Sequence, residues 1–199
     1  VAAAYVAADA RPHRDLTLTA GVRADYYNHI GAFAVAPRVQ ATYQASPSLQ
    51  VRASVGCYNR PLDQAESVPD NLEPELAMQY VAGIEQTLAD GITLSASGFY
   101  TDRDDLVVRD PLLTQTDPLF AYVNLGTGRS FGGEFLLRAR RNNFFGWVAY
   151  TWTRSDRVDR PGADRRLFDN DQPLNIVAVG SYKLGKWEFG ARFQFATGT

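Results

Sequence analysis

Apolar and polar residues alternate along this chain with a period of two. In the stretch 16–26, Leu16, Leu18, Ala20, Val22, Ala24 and Tyr26 fall on one face of an extended strand, and Thr17, Thr19, Gly21, Arg23 and Asp25 on the other. A strand in a soluble sheet is usually about five or six residues long. This run matches the roughly 9–11 tilted residues that carry a β-strand across a bilayer. The pattern recurs at 35–44, where Val35, Pro37, Val39, Ala41 and Tyr43 oppose Arg38, Gln40, Thr42 and Gln44. It recurs again at 187–196, where Trp187, Phe189, Ala191, Phe193 and Phe195 oppose Glu188, Gly190, Arg192 and Gln194.

Ten strands are predicted: 2–10, 16–27, 35–44, 49–58, 76–88, 92–101, 132–141, 145–154, 174–184 and 187–196. No segment shows an amphipathic helical period of comparable length. Short connections (11–15, 46–48, 89–91, 141–144, 185–186) alternate with longer ones (28–34, 59–75, 102–130, 155–173). Tight turns on one rim and long loops on the other define an up-and-down transmembrane barrel. The fold class is therefore all-β and antiparallel. Strands 145–154 and 174–184 are apolar on both faces, so their inward side stays open.

Composition changes the picture little. Mean hydropathy is −0.25, as expected where only half of each strand faces lipid. A net charge of −2 and the lack of a basic motif speak against nucleic acid as a partner. Cys57 is the single cysteine and reads as a small strand residue. His13 and His29 fall in different turns, a poor basis for a metal site. Ser130, Ser155 and Ser181 have no partnered base, so an enzyme is not expected. Tyr26, Tyr27, Tyr58, Tyr100, Trp147, Trp152, Tyr182 and Trp187 lie near predicted strand ends, where amphipathic rings form interfacial girdles.

Charges concentrate in two places. The polar strand faces carry Arg23, Asp25, Arg38, Arg52, Glu85, Glu134, Arg138, Glu188 and Arg192. These cannot face lipid cheaply, so they line a hydrated lumen, contact something that fills it, or pair across strands. The long connections mix Asp102, Asp104, Asp105, Asp110, Asp156, Asp159, Asp164, Asp169 and Asp171 with Arg103, Arg109, Arg154, Arg157, Arg160, Arg165 and Arg166. Their spacing is not that of a calcium loop. Such loops are solvated mixed-charge segments, or they offer arginines such as Arg157, Arg165 and Arg166 to an anionic ligand or lipopolysaccharide.

Several segments carry a family resemblance. LEPELAMQYVAGIEQ (72–86) resembles the "L-x-P-E … G-x-E" segment of TonB-dependent outer-membrane receptors. GFYTDRDDLV (98–107) is similar to that family's strand entering an outer loop, and YVNLGTGRSFGGEFLLRAR (122–140) to its "N-x-G … G-x-E" entry. GWVAYTWTRS (146–155) and FDNDQPLNIVAVGSYKL (168–184) resemble its paired strands around a "D-x-D-Q-P" loop end, with Leu174-Asn175 where His is frequent. The resemblance covers the chain from about residue 16, and the motifs follow the family's order.

The resemblance implies a segment of a 22-stranded barrel in the outer membrane of a Gram-negative bacterium. The whole of 1–199 is then barrel wall, without the plug domain or the TonB-contacting segment. It implies energised uptake, through TonB, ExbB and ExbD, of a small-molecule ligand such as a ferric siderophore, with lipid and lipopolysaccharide as surroundings and no cofactor. It places Arg60, Arg103, Asp104, Arg157, Arg165 and Arg166 in outer, ligand-binding loops. Arg23, Arg38, Arg52, Glu85, Glu134, Arg138 and Arg192 become lumen or plug contacts. The start at Val1 and the stop after an alternating run suggest a piece of a longer protein. An isolated piece would close on itself, oligomerise or aggregate, because open edges are not tolerated in lipid. The alternative is a self-contained ten-strand passive pore or a structural, adhesin-like barrel.

Overall fold

The structure, a computed structural model, describes residues 1–28, 30–61, 72–110, 122–169 and 171–198. The strands are β1 (Ala2–His13), β2 (Leu16–Tyr27), β3 (Ala32–Ser46), β4 (Leu49–Arg60), β5 (Glu75–Ala89), β6 (Ile92–Arg109), β7 (Tyr122–Arg141), β8 (Phe144–Val158), β9 (Arg166–Leu167), β10 (Leu174–Leu184) and β11 (Trp187–Ala196). All are antiparallel neighbours in one sheet, in chain order from β1 to β8 and then β10 and β11, with β9 pairing onto β8. The sheet is open, and β1 and β11 are its edges. All ten predicted strands are present, and the two-residue β9 is additional.

The tight turns follow from residues that tolerate positive φ. Gly91 (φ 71°) turns β5 into β6, Asn142 (φ 50°) turns β7 into β8 and Gly185 (φ 59°) turns β10 into β11. At Gly91 a Cβ would collide with the carbonyl oxygen of Arg140, so the close approach of the neighbouring turn also requires glycine.

The register sorts every side chain to a face. Gly21 stands opposite Arg38, Arg38 opposite Gly56, Arg52 opposite Gly83 and Gly83 opposite Ser97. Ser97 stands opposite Glu134, Glu134 opposite Thr151, Thr151 opposite Asn175 and Asn175 opposite Ala196. With the period of two, this chain of pairs puts Arg23, Arg38, Arg52, Glu85, Glu134, Arg138 and Arg192 on one face. Gln40 of β3 and Thr151 of β8, with β4 to β7 between them, line one concavity. The sheet therefore curls, with the charged face inside.

The outside is apolar and exposed: Val22, Val39, Val55, Tyr80, Ile84, Phe135, Val148, Phe189 and Phe193 are all more than a third accessible. The register also assigns the two strands that are apolar on both faces. Trp147, Ala149 and Thr151 of β8 face inward with Asn175, Val177 and Val179 of β10, and Val148, Tyr150, Ile176 and Ala178 face outward. The girdle expectation is corrected in part. Tyr26, Tyr100, Trp152, Tyr182 and Trp187 lie on the outer face, but Tyr27, Tyr58 and Trp147 fall on the inner one. Tyr27 is buried, and Tyr58 lies under the Arg38 guanidinium, 5.0 Å from its ring centre.

A wall of this kind buries little of its apolar surface against itself. The buried side chains among the described residues, including Tyr27, Ala34, Leu72, Leu106, Val107, Glu75, Ser130 and Asp156, gather at the long-connection end.

Candidate functional site at the outer rim

The connection expected over 102–130 is largely strand. β6 continues to Arg109 and β7 begins at Tyr122, so the hairpin rises well past the strand ends that the apolar alternation defines. Beyond the apolar band, backbone ladder bonds continue whatever the side chains are. The alternation is hidden there because the register shifts twice, between Arg103 and Leu106 and between Leu106 and Val107. Asp105 takes φ 57° at this bulge, a conformation Asp tolerates.

Five of the six residues expected in outer loops lie in strands instead. Arg103 and Asp104 lie within β6, opposite Gly128 and Leu76. Arg60 ends β4, Arg157 is in β8 and Arg166 is in β9. Arg165 alone lies in a loop, just before β9.

Most of these side chains hold the rim together. Arg60 Nε and Nη2 donate to the Glu75 carboxylate at 2.7 and 2.9 Å. Arg103 donates to Ser130 Oγ, which lies 2.8 Å from Ser155 Oγ. Asp156 has a side chain only 2 % accessible and accepts from Arg129 Nε at 3.0 and 3.2 Å and from Arg165. Asp159 joins Arg157 (2.6 Å) and Arg166 (2.7 Å), and Arg166 also reaches Asp169 (2.7 Å). The Arg166 hydrogen bond, helped by the charge of Arg157, holds the Asp159 carboxyl below the usual carboxylate range against the opposing effect of burial.

These pairs fold the strap, residues 159–169, back over the rim. Leu167 stands opposite Asp156 and Arg166 opposite Arg157, and Phe168 N donates to Ser155 O at 3.1 Å. Arg103 and Arg157 both lie over the Phe168 ring, at 5.7 and 5.2 Å from its centre.

Between strap and hairpin is a pocket of about 460 Å³. Val108, Val123 and Leu125 supply an apolar floor, and Arg109, Arg157, Arg160, Arg166, Asp110 and Asp159 supply the charges. Arg157 and Arg166 are tied to Asp159. Arg109 lies over Tyr122 at 5.9 Å, and among the described residues neither Arg109 nor Arg160 has a carboxylate within ion-pair distance.

The residues expected to face the lumen share the concave face, several of them paired locally. Arg23 meets Asp25 at 2.7 Å, Arg52 meets Glu85 at 3.1 Å and Arg192 donates to Gln194 at 2.9 Å. Glu134 lines the central concavity. Arg138 lines a second one with Leu136, Arg140, Phe145 and Trp147.

Sequence reasoning did not single out Glu75, Asn124, Arg129 or Phe168 as working residues. Glu75 and Asn124 stood within the motif segments, so the motif itself was the available signal. Arg129 and Phe168 also stand within these segments, but at positions the motifs do not specify, and their partners are distant in sequence.

An open, curled, antiparallel sheet that is apolar outside, charged inside and long-looped at one rim defines a wall segment of an outer-membrane-type β-barrel. The chain matches the family described as "TonB dependent receptor-like, beta-barrel" over residues 1–199 and belongs to that family. Members are outer-membrane receptors of Gram-negative bacteria that work with TonB; they are transporters, not enzymes. No curated protein matches the sequence. Among solved structures, the chain is similar to the FrpB iron transporter from Neisseria meningitidis, with TM-score 0.75 and 16% identity over 96% of this chain and 32% of that one. It is similar to the ferripyoverdine receptor of Pseudomonas aeruginosa, with TM-score 0.74 and 16% identity over 98% and 30%. It is also similar to the copper transporter OprC, with TM-score 0.71 and 17% identity over 96% and 33%. The chain spans about a third of the length of these relatives.

Proposed function

We propose that this chain is part of the wall of a TonB-dependent receptor that takes up an anionic, metal-bearing small molecule across the outer membrane of a Gram-negative bacterium. The carrying observation is the rim pocket, where Arg109 and Arg160, two arginines without a carboxylate partner among the described residues, flank an apolar floor. A guanidinium presents a planar set of donors suited to carboxylate, catecholate or hydroxamate oxygens, and the floor suits an apolar ligand body. Arg157 and Arg166, already paired with Asp159 and, for Arg166, with Asp169 as well, shape the pocket. Arg60, Arg103, Asp104 and Arg165 support the rim around it.

In this reading Arg23, Arg38, Arg52, Glu85, Glu134, Arg138 and Arg192 meet the plug or the hydrated path beside it. The plug and the TonB-contacting segment lie elsewhere in the full protein, and ExbB and ExbD supply force through TonB. Lipid and lipopolysaccharide surround the apolar face. The open edges β1 and β11 favour a place in a larger wall over a ten-strand pore closed on itself.

The test is uptake of radioiron, offered as hydroxamate and as catecholate chelates, by cells making the full-length receptor. Uptake that needs TonB and weakens in R109S and R160S is expected. TonB-independent leakage of solutes of every charge would refute the reading and support a passive pore.

A further inference from the structure

The L-x-P-E motif has its own work at the rim, apart from ligand contact. Glu75 is buried, and its Oε1 accepts the backbone N–H of Val107 at 2.9 Å while the carboxylate pairs with Arg60. Asn124, from the N-x-G motif, makes three bonds. Its Oδ1 accepts Glu73 N (2.8 Å), and its Nδ2 donates to Glu73 O (2.9 Å) and to Asp105 O (2.7 Å). Between the two, Leu72 and Val107, 5 % and 8 % accessible, pack with Ile30 and Tyr122.

All of these bonds converge on the bulge. The register shifts at 103–107 break the β6–β7 ladder, and an unmatched backbone group buried there would be costly. Glu75 and Asn124 take over the bonding of Val107 N and Asp105 O. The segment that follows the bulge, Val107 to Asp110, lines the rim pocket.

We propose that Glu75 and Asn124 are positioning residues: together with Leu72 they form a clip that fixes the bent β6–β7 hairpin and so sets where Arg109 stands relative to the strap. The clip also joins the rim segments at 30, 72–75, 105–107 and 122–124 into one preorganised unit. The importance of the clip for binding rests on the pocket reading above; the clip itself does not.

The experiment measures the distance between spin labels at positions 110 and 160 by pulsed electron resonance. It uses the full-length receptor in membranes, without ligand, in a C57S background. A second label pair at 19 and 52, on the concave face, reports the wall. One narrow 110–160 distribution is expected in the parent. In E75A and N124A it should disperse while the 19–52 distance stays fixed. E75Q, whose amide oxygen still accepts from Val107 N, should restore the narrow distribution. A narrow distribution in both E75A and N124A would overturn the clip. So would an E75Q distribution as broad as that of E75A, which would reduce Glu75 to a partner of Arg60. If E75A does not assemble, N124A and E75Q decide the matter, since both leave the Glu75 side near its native shape. Because no ligand is present, a wrong ligand assignment cannot produce either result.

Discussion

Among the described residues Asp156 is the most buried acidic side chain of the rim, and its removal should release the strap. The carboxylate is 2 % accessible, whereas its partners Arg129 and Arg165 are 41% and 44% accessible. Breaking a fully buried ion pair costs roughly 3–5 kcal/mol because a charge is stranded. Here the two guanidiniums can rehydrate, so the loss reduces to the charge-assisted hydrogen bonds themselves and is screened. An expected cost of about 2 kcal/mol for D156A follows, equivalent to roughly a 30-fold rise in the population of the open strap. Opening exposes the Phe168 amide, which donates to Ser155 O, and the Leu167–Asp156 pairing. Hydrogen exchange of peptides covering 166–169, followed by mass spectrometry on the full-length receptor, should accelerate by about that factor, while peptides from β3 and β4 stay unchanged. Exchange within about twofold of the parent would show that the buried cluster does not hold the strap. Faster exchange throughout the wall would show instead that Asp156 supports the barrel as a whole.

Three further outcomes are expected. Asp159 has its folded pKa depressed, chiefly by Arg166, so its contribution is present above the ordinary carboxylate value of about 4 and is lost as pH falls through the depressed value. Exchange protection of the strap, corrected for intrinsic rates, should therefore hold from neutral pH down to about 5 and fail only below about 4; loss near pH 6 would contradict the assignment. An arginine in place of outward Ala82 should cost about 2–4 kcal/mol of folding into vesicles, while V81R, one residue away on the concave face, should cost far less. Equal costs would refute the face assignment. At Gly132 a Cβ would meet the Trp152 carbonyl oxygen and lie 2.9 Å from Phe99 Cζ, whereas at Gly133 its nearest neighbour is 3.6 Å away. G132A should then destabilise the protein by about 1–3 kcal/mol of overpacking, seen as a lower thermal unfolding temperature, with G133A close to the parent.

Where period two governs, the structure was legible in advance. Ten strands and the shared face of Arg23, Arg38, Arg52, Glu85, Glu134, Arg138 and Arg192 follow from alternation, because a membrane wall forces each side chain to one of two solvents. Legibility fails where that force ends. Above residue 101 in β6, the run 102–105 is polar on both faces, and the bulge at Asp105 breaks the phase. The polar run 102–105 thus looks like a loop although it is strand. Trp147 and Val177 were ambiguous for the opposite reason: apolar residues on both faces give no contrast, and only the pairing through Glu134, Thr151 and Asn175 assigns them. The rim arginines were recognisable as a group, but their division of labour was not. Whether an arginine binds a ligand or a neighbouring aspartate depends on pairs as distant as Arg129–Asp156 or Arg60–Glu75.

The bulge at Asp105 also bears on how such a wall can change length over generations. Within the apolar band, inserting one residue would swap every following side chain between lipid and lumen until the next turn. Changes there are tolerable only in steps of two, or at the turns. Above the band no such penalty applies, and the β6–β7 hairpin already carries one extra residue on each strand at the bulge, accommodated by Glu75 and Asn124. Descendants of this gene are thus free to lengthen or shorten the rim one codon at a time, and so to reshape what the surface recognises, while the wall beneath stays locked in register.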